Sequence, residues 1–173
     1  YTNDGGTNWD MIYYNFDHET IFPQRVAISP NNPEKLFIGR SGGFYSHTGG
    51  LYISENSGQD WIEKYPNVDF GTIVFHPENA DDILLGSWYG SFTHNLYRSL
   101  DGGDNWNVVD ENWATDVLSN GILDIEYNPS NSNNIIVTET NSIVRTYDNF
   151  QTKEVFNFPN AIENSNNYYF VFT

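Results

Sequence analysis

Aromatic side chains concentrate in two predicted loops of this chain, and flat rings beside small polar residues can bind a ligand by stacking. The first loop reads R-S-G-G-F-Y-S-H-T-G-G from Arg40, and the second reads S-W-Y-G-S-F-T-H-N from Ser87. Such rings suit a carbohydrate or an anchor residue of another protein, although they could also fold back as caps over strand edges. The candidate ligand-binding residues are Phe44, Tyr45, Trp88, Tyr89, Phe92 and Trp113.

The histidines predict no metal site. They fall in different loops or turns, without the H-x-H or H-x-x-x-H spacing that brings two imidazoles to one ion. The chain has 0 Cys and therefore no thiolate ligand, thiolate nucleophile or disulfide. The D-G-G-D-N segment from Asp101 lacks the spaced carboxylates and final Glu of a calcium loop. We expect no metal and no cofactor. The four histidines are His18, His47, His76 and His94.

The charge balance argues against two classes of partner. Asp and Glu number 23 against 7 Lys and Arg, which gives a net charge of −16. Nucleic acid and anionic membranes would gain nothing from counterion release or surface attraction. A neutral carbohydrate or another protein, such as a basic peptide, is the expected partner. The acidic residues Asp17, Asp69 and Asp116, near the aromatic loops, point the same way.

The sequence contains neither a secretory leader nor an apolar run long enough to cross a bilayer, and we expect no membrane insertion. Both ends have the appearance of cuts from a longer chain. The absence of Cys and of an N-x-[ST] sequon fits a bacterial secreted or surface protein. The expected location is extracellular or on the cell surface, with the periplasm as an alternative.

An octet that recurs three times predicts a tight hairpin turn. It reads T-N-D-G-G-T-N-W from Thr2, S-E-N-S-G-Q-D-W from Ser54 and S-L-D-G-G-D-N-W from Ser99, with a worn fourth copy, T-Y-D-N-F-Q-T, from Thr146. A short Asp or Asn side chain closes such a turn by accepting backbone N–H groups, and Gly takes the positive φ that the turn needs. Trp then starts the returning strand as an anchor. The residues of the octets are Thr2, Asp4, Gly6, Trp9, Ser54, Asn56, Gly58, Trp61, Ser99, Asp101, Gly103 and Trp106.

These octets resemble the Asp-box, or BNR, repeat of β-propellers. Sialidases, sortilin-type receptors, xyloglucanase-type glycoside hydrolases and photosystem II assembly factors carry that repeat. The resemblance covers nearly the whole chain, does not select one member, and implies that each box is a structural turn away from any active site. Asp4 and Asp101 are therefore not expected to be catalytic. We expect Trp9, Trp61 and Trp106 to be largely buried, so that Trp106→Ala costs about 3–5 kcal/mol.

A second phrase recurs between the boxes and predicts two strands joined by a Pro/Asn turn. It reads V-A-I-S-P-N-N-P-E-K-L-F-I-G from Val26, I-V-F-H-P-E-N-A-D-D-I-L-L-G from Ile73 and I-E-Y-N-P-S-N-S-N-N-I-I-V-T from Ile125. The copies are spaced by roughly 47 to 52 residues, which is the size of a propeller blade. The sequence therefore predicts an all-β fold. This fold is a β-propeller segment of four-stranded antiparallel blades with Asp-box turns, and it is expected to be part of a larger ring whose remaining blades are its partners.

We divide residues 1–173, a single propeller fragment, into blades whose strands are labelled A to D in chain order. Residues 1–14 end one blade and residues 168–173 start another, with 160–167 read as the connection to it. The complete blades are predicted at 24–65, 71–110 and 121–158, and the strands of the first are Arg25–Ser29, Lys35–Arg40, Gly50–Ser54 and Trp61–Tyr65. Strand alternation places the A–B turns and the boxes at one edge of the blades. The B–C and D–A loops, which carry the aromatic rings, lie at the opposite edge, where a ligand is expected.

Two functions remain open. The first is a non-catalytic recognition or scaffold module of a larger secreted or cell-surface protein, which binds carbohydrate or protein through its loop face. The alternative is a fragment of a glycoside hydrolase whose catalytic acids lie outside this chain. This alternative rests on Gly71–Gly86, which is similar to a phrase of the xyloglucanase-type hydrolases.

The catalytic residues of those families are not matched here. In the xyloglucanase-type family the phrase leads to an R-T-D-x-G-G segment with a catalytic Asp, and this chain has Gly42, Tyr89 and Asn141 at that place. Glu139 is the nearest carboxylate and stands two places early. A sialidase is less favoured still. The chain has no F-R-I-P opening, and its four Arg residues do not form a recognisable arginine triad.

Overall fold

The computed structural model describes residues 2–12, 22–41, 49–66, 68–88, 95–110, 121–140 and 142–157, which form twelve β-strands in three sheets. The first sheet contains β1 (Phe22–Ile28), β2 (Leu36–Ser41), β3 (Gly50–Ser54) and β4 (Ile62–Pro66). The second contains β5 (Phe70–His76), β6 (Asn79–Ser87), β7 (Leu96–Ser99) and β8 (Asn107–Val108). The third contains β9 (Ile122–Tyr127), β10 (Ile135–Glu139), β11 (Ser142–Thr146) and β12 (Glu154–Asn157). The all-β prediction is confirmed.

Each sheet is an antiparallel meander in which consecutive strands pair. In the first sheet, Phe37 of β2 pairs with Ala27 of β1 on one side and with Ile53 of β3 on the other. All six residues of β2 are buried, although its sequence, L-F-I-G-R-S, does not alternate between apolar and polar residues. A strand that is covered on both faces has this composition, because neither face meets water.

Two apolar clusters join the sheets face to face. In the first cluster, Phe37 and Leu51 of the first sheet pack with Ile73 and Leu85 of the second. The second cluster joins Leu84 and Leu96 of the second sheet to residues of the third, including Ile122, Ile125, Ile135 and Val137. The core therefore lies between sheets, and the second sheet contributes to both clusters.

The first sheet has an exposed apolar face. Val26 of β1 is 61% exposed, whereas Ile73 and Ile125, at the corresponding positions of the next two sheets, are 4% and 1% exposed because the preceding sheet covers them. The exposed face of β1 is thus the surface on which a further blade of a ring would pack. Within the described ranges, no helix has the length and apolar character needed to cross a bilayer.

The predicted strand at the end of the first, partial blade is not formed over its described part. Residues 9–12 have no ladder partner among the described strands, and Met11 is exposed. A strand requires a hydrogen-bonded neighbour, so the assignment of residues 1–14 to the end of a blade stays a prediction. The segments 160–167 and 168–173 lie outside the described residues.

We expect Phe37→Ala to destabilise the chain by about 3–5 kcal/mol, since the ring is fully buried between the first two sheets. A urea titration followed by circular dichroism measures the loss. The matched control is Phe156→Ala, because the Phe156 ring is about half exposed and should contribute less than about 1 kcal/mol. Equal losses in the two variants would contradict the placement of the core between the sheets.

Candidate functional site

The third Asp box is closed by one hydroxyl and one carboxylate. The Ser99 hydroxyl donates to Oδ1 of Asp101 (2.8 Å) and accepts the N–H of Gly103 (2.8 Å). Asp101 Oδ1 also accepts the N–H of Asn105 (2.9 Å), and Oδ2 accepts the Asn105 side-chain amide (2.7 Å). Asp101 thus links residues four positions apart, and its bonds close the turn from within the box.

The same network recurs in the other boxes. The second box has Ser54 and Asn56 in the two leading roles, with Asp60 accepting from the Asn56 amide at 2.8 Å. In the fourth, Thr146 bonds Asp148 at 2.9 Å and Asp148 Oδ1 accepts the N–H of Thr152 at 2.8 Å. The worn copy that the sequence suggested therefore forms the same turn.

Two consecutive left-handed residues give the box its shape. In the third box they are Gly102 (φ 71°) and Gly103 (φ 99°), and in the fourth they are Asn149 (φ 56°) and Phe150 (φ 66°). Gly103 also allows a close approach, because a Cβ placed on it would lie 2.8 Å from Cε1 of Phe37 in the preceding sheet. Glycine is therefore required at that position by both its conformation and its packing.

The second, third and fourth boxes are each hydrogen-bonded to the A–B turn of their own sheet. The N–H of Gly102 donates to the carbonyl of Asp81 at 2.9 Å, and the N–H of Asn149 donates to the carbonyl of Asn133 at 3.0 Å. The corresponding bond in the first sheet joins Ser57 to Glu34 at 2.8 Å. The boxes and the A–B turns thus lie at one edge of the sheets, as the strand alternation predicts.

The box tryptophans are less buried than expected. Trp9 is 71% exposed, so the expectation of a largely buried ring was wrong there, whereas Trp61 and Trp106 are half-buried. Each indole N–H donates to the carbonyl of its own box, as from Trp106 to Gly103 at 3.0 Å, which keeps the ring along the turn at the surface. The ring of Trp106 also packs against the apolar cluster between the first two sheets. Trp106→Ala should therefore cost about half of the 3–5 kcal/mol expected for a buried ring.

The box carboxylates are held in their charged form. Hydrogen bonds from the backbone N–H and the side-chain amide of Asn105, and from the Ser99 hydroxyl, lower the pKa of Asp101 to about 2. The equivalent bonds from Asn8 and Thr2 lower the pKa of Asp4 to about 2. A carboxylate that stays ionised and is saturated by its own turn is poorly suited to general acid–base catalysis near neutral pH. Its role is to accept hydrogen bonds.

Trp88 is the one candidate ligand-binding residue that lies within the described residues. Its backbone N–H donates to the carbonyl of Asp69 at 2.6 Å, and its ring packs so closely on Gly71 that a Cβ at that position would collide with it. Ser87 and Asn95, at the two ends of this loop, are joined by a hydrogen bond in which Ser87 Oγ accepts the N–H of Asn95 at 2.8 Å. Trp88 is half-buried, at the edge of the sheets opposite to the boxes.

The other candidates cannot be placed beside Trp88. The candidate ligand-binding residues Phe44, Tyr45, Tyr89, Phe92 and Trp113 lie outside the described residues, as do His18, His47 and His94. Nδ1 of His76 accepts the N–H of Glu78 at 3.2 Å, which is a turn contact. In the described part of the chain, no three His, Asp or Glu residues gather in a group that could hold a metal ion.

The second strand of each sheet ends in a buried polar residue, and the sequence analysis did not predict this burial. Arg40, Ser87 and Glu139 occupy corresponding positions there, and all three are buried. The Arg40 guanidinium lies over the Tyr52 ring (4.4 Å), and the Ser142 hydroxyl donates to Glu139 Oε2. Glu139, the carboxylate nearest to the expected place of a hydrolase acid, is therefore an interior group.

Three four-stranded sheets with Asp-box turns define this chain as a segment of a β-propeller. It belongs to the Sortilin-Vps10 family, because the family model described as "Sortilin, neurotensin receptor 3" matches residues 1–173. Among curated proteins, none matches this sequence.

Solved structures of larger propellers share the fold. The GH74 enzyme of Niastella koreensis has a TM-score of 0.60 and 18% identity over 76% of this chain and 22% of its own. An ancestral GH74 enzyme has a TM-score of 0.59 and 22% identity over 73% and 17%. YCF48 from Cyanidioschyzon merolae has a TM-score of 0.54 and 15% identity over 79% and 37%. The chain thus spans about a fifth of the GH74 structures and about a third of YCF48.

Exchanging the carboxylate and the amide within one box should preserve it. Asp101→Asn alone replaces a charged acceptor by a neutral amide, which weakens the bonds from Ser99 and Asn105 and should lower the melting temperature by a few degrees. Adding Asn105→Asp recreates the Asn56–Asp60 pair of the second box and should restore most of the loss. Calorimetry of the single and double variants checks this, and a double variant as unstable as the single one would contradict the proposed network.

The lowered pKa values predict a loss of stability in acid. An unfolded Asp titrates near 3.9, whereas Asp4 and Asp101 titrate at about 2 in the fold, so their contribution is complete above about pH 5. It is lost as the pH falls through the folded pKa. Urea midpoints measured from pH 6 to pH 2 should decline over this window, and Asp101→Asn should make the decline shallower. An unchanged slope in that variant would show that Asp101 does not contribute.

Proposed function

We propose that this chain is part of a non-catalytic recognition propeller within a larger secreted or cell-surface protein, and that its loop face binds a peptide segment of another protein. The observation that carries the proposal is the position of Trp88. This large ring is half-buried at the loop edge, just after the end of β6 and beside the start of β5.

Trp88 is suited to binding because it is already fixed. Its backbone is tied to Asp69 and its ring rests on the backbone of Gly71, so little side-chain freedom remains to be lost when a ligand arrives. Part of the ring is open to solvent. Rigid aromatic anchors of this kind dominate the energetics of many protein interfaces.

Two observations support a basic peptide as the ligand. The family description names a neurotensin receptor, so the matched family includes a receptor, which fits recognition by the loop face. The net charge of −16 attracts cationic segments. Contrary to the expectation from the sequence, the charge of Asp69 does not face a ligand directly, since that residue is buried. Asp17 and Asp116 lie outside the described residues.

The hydrolase alternative has less support. The likeness to GH74 enzymes is at most 22% identical among the structures compared and therefore concerns the fold. Glu139 is buried, with its carboxylate accepting from Ser142, and it does not stand in an open cleft. Glycoside hydrolysis needs two carboxyl groups across a sugar. Hydrolysis of xyloglucan oligosaccharides by the intact protein would revive this alternative.

We expect Trp88→Ala to weaken peptide binding by about tenfold or more, with a fall in melting temperature of only a few degrees. Gly71→Ala should weaken binding similarly, because its Cβ displaces the ring without removing it. The intact protein is screened on peptide and neutral oligosaccharide arrays, and affinities of the best ligands are measured by calorimetry.

Trp106→Ala is the control, since this ring lies at the box edge and should leave the affinity unchanged. Unaltered binding in Trp88→Ala, or unfolding of that variant, would remove the proposal. Binding to the oligosaccharide array alone would show that the loop face binds a carbohydrate and not a peptide.

A further inference from the structure

The fourth box departs from the others at the position of its tryptophan. Seven residues after Thr146 the chain has Lys153, where the other boxes have Trp9, Trp61 and Trp106. The ammonium group of Lys153 pairs with Asp110 at 2.6 Å. The junction between the second and third sheets therefore lacks the indole that accompanies every other box.

The second box shows what such an indole contacts. Nε1–H of Trp61 donates to the carbonyl of Gly58 in its own box (3.0 Å) and to the carbonyl of Ile12 in the preceding unit (2.9 Å). Gly58 stands four residues into its box, and Ile12 stands three residues after the tryptophan of the preceding box. At the fourth box these two positions are Phe150 and Val109.

A cleft lies at this place. It has a volume of about 230 Å³, and Phe150 and Val109 both line it. This volume is below the range of roughly 300–1,000 Å³ that is usual for sites of drug-sized ligands, so the cleft suits one side chain. The other lining residues that matter here are Arg98, Leu100, Asn149 and Gln151.

The walls of the cleft suit an aromatic ring. Asp82 holds the Arg98 guanidinium by two bonds, from Nε to Oδ1 (2.7 Å) and from Nη2 to Oδ2 (2.5 Å), and Asn149 accepts from Nη1 (2.9 Å). A guanidinium fixed in this way offers a rigid plane on which an aromatic ring can stack. Leu100, which is 67% exposed, adds an apolar rim.

The surroundings are acidic. Leu100 and Asn149, which line the cleft, are each next in sequence to a box carboxylate, Asp101 and Asp148 respectively. Hydrogen bonds from Thr152 and Thr146 lower the pKa of Asp148, as those from Asn105 and Ser99 do for Asp101. Both carboxylates are therefore charged at neutral pH, within a chain of net charge −16. Lys or Arg beside the incoming ring would be attracted.

We propose that this cleft binds a tryptophan side chain from a basic segment of a partner protein, and that its indole N–H donates to the carbonyl oxygens of Phe150 and Val109. The partner thereby supplies in trans the ring that the chain supplies itself at its other boxes. The cleft lies at the box edge of the sheets, away from Trp88, and this site is independent of the proposed loop-face function.

The test uses the intact protein and a fluorescein-labelled peptide in which one Trp stands between two Lys on each side. Fluorescence anisotropy is measured at 0.15 M salt, so that unspecific charge attraction is screened. We expect saturable binding that weakens about tenfold or more when Ala replaces the Trp of the peptide. Replacement by 1-methyltryptophan, which removes the N–H donor and keeps the ring, should weaken it by about 3- to 10-fold.

Two protein variants locate the binding. Lys153→Trp completes the fourth box in cis and should reduce peptide affinity about tenfold or more. Gln151→Arg places a cation at the cleft and should reduce it as well, whereas Gln59→Arg, at the corresponding exposed position of the second box, should not. Trp88→Ala should have no effect, which separates this site from the loop face.

Three results would each overturn the proposal. The first is the absence of saturable binding of the Trp peptide. The second is equal affinity for the Trp and Ala peptides, which would show that charge alone drives binding. The third is a Trp-dependent affinity that both folded cleft variants leave unchanged, which would place the peptide elsewhere on the protein.

Discussion

The structure depends on apolar contact between neighbouring sheets. Phe37 and Leu84 are fully buried at corresponding positions of the second strand, and each points into the cluster that joins its sheet to the next. A sheet with two apolar faces cannot bury them by itself, so each blade requires neighbouring blades to cover its faces. Gly103 completes such a junction because only a residue without Cβ lets the box approach Phe37. The second sheet, covered on both sides, is the most firmly held.

Because of this packing, the two edges of the sheets differ in how much their amino-acid sequence can vary. At the box edge, hydroxyl, carboxylate and turn hydrogen bonds repeat from blade to blade and leave little freedom for substitution. At the loop edge, the sequence differs between blades, and Trp88 there rests on a backbone that the sheets hold in place. Recognition on loops supported by a rigid scaffold is a consequence of the same division. The fourth box is an exception at the box edge. It has Phe150 and Lys153 where the other boxes have Gly and Trp, and a cleft lies beside it.

Much of the fold could be predicted from the sequence because its signals are local. The predicted strand Gly50–Ser54 is observed with the same bounds, and the Pro/Asn phrase marked the two strands on either side of each A–B turn. The exposure of Trp9 could not be predicted, since spacing places a residue on a turn without saying what covers it. The burial of Arg40 and Glu139 was missed for the same reason. In the candidate site, Trp88 was identified by residue type alone, and its contact with Gly71 required coordinates.

Amide hydrogen exchange of the intact protein, followed by mass spectrometry, tests most directly whether packing between sheets stabilises this chain. Exchange should be slowest in β6, which lies in the sheet that contributes to both apolar clusters, and faster in β1, one face of which is exposed within the described residues. Adding denaturant should bring the protection of the three sheets down together. Three sheets that lose protection independently, with β6 no slower than β1, would contradict the account.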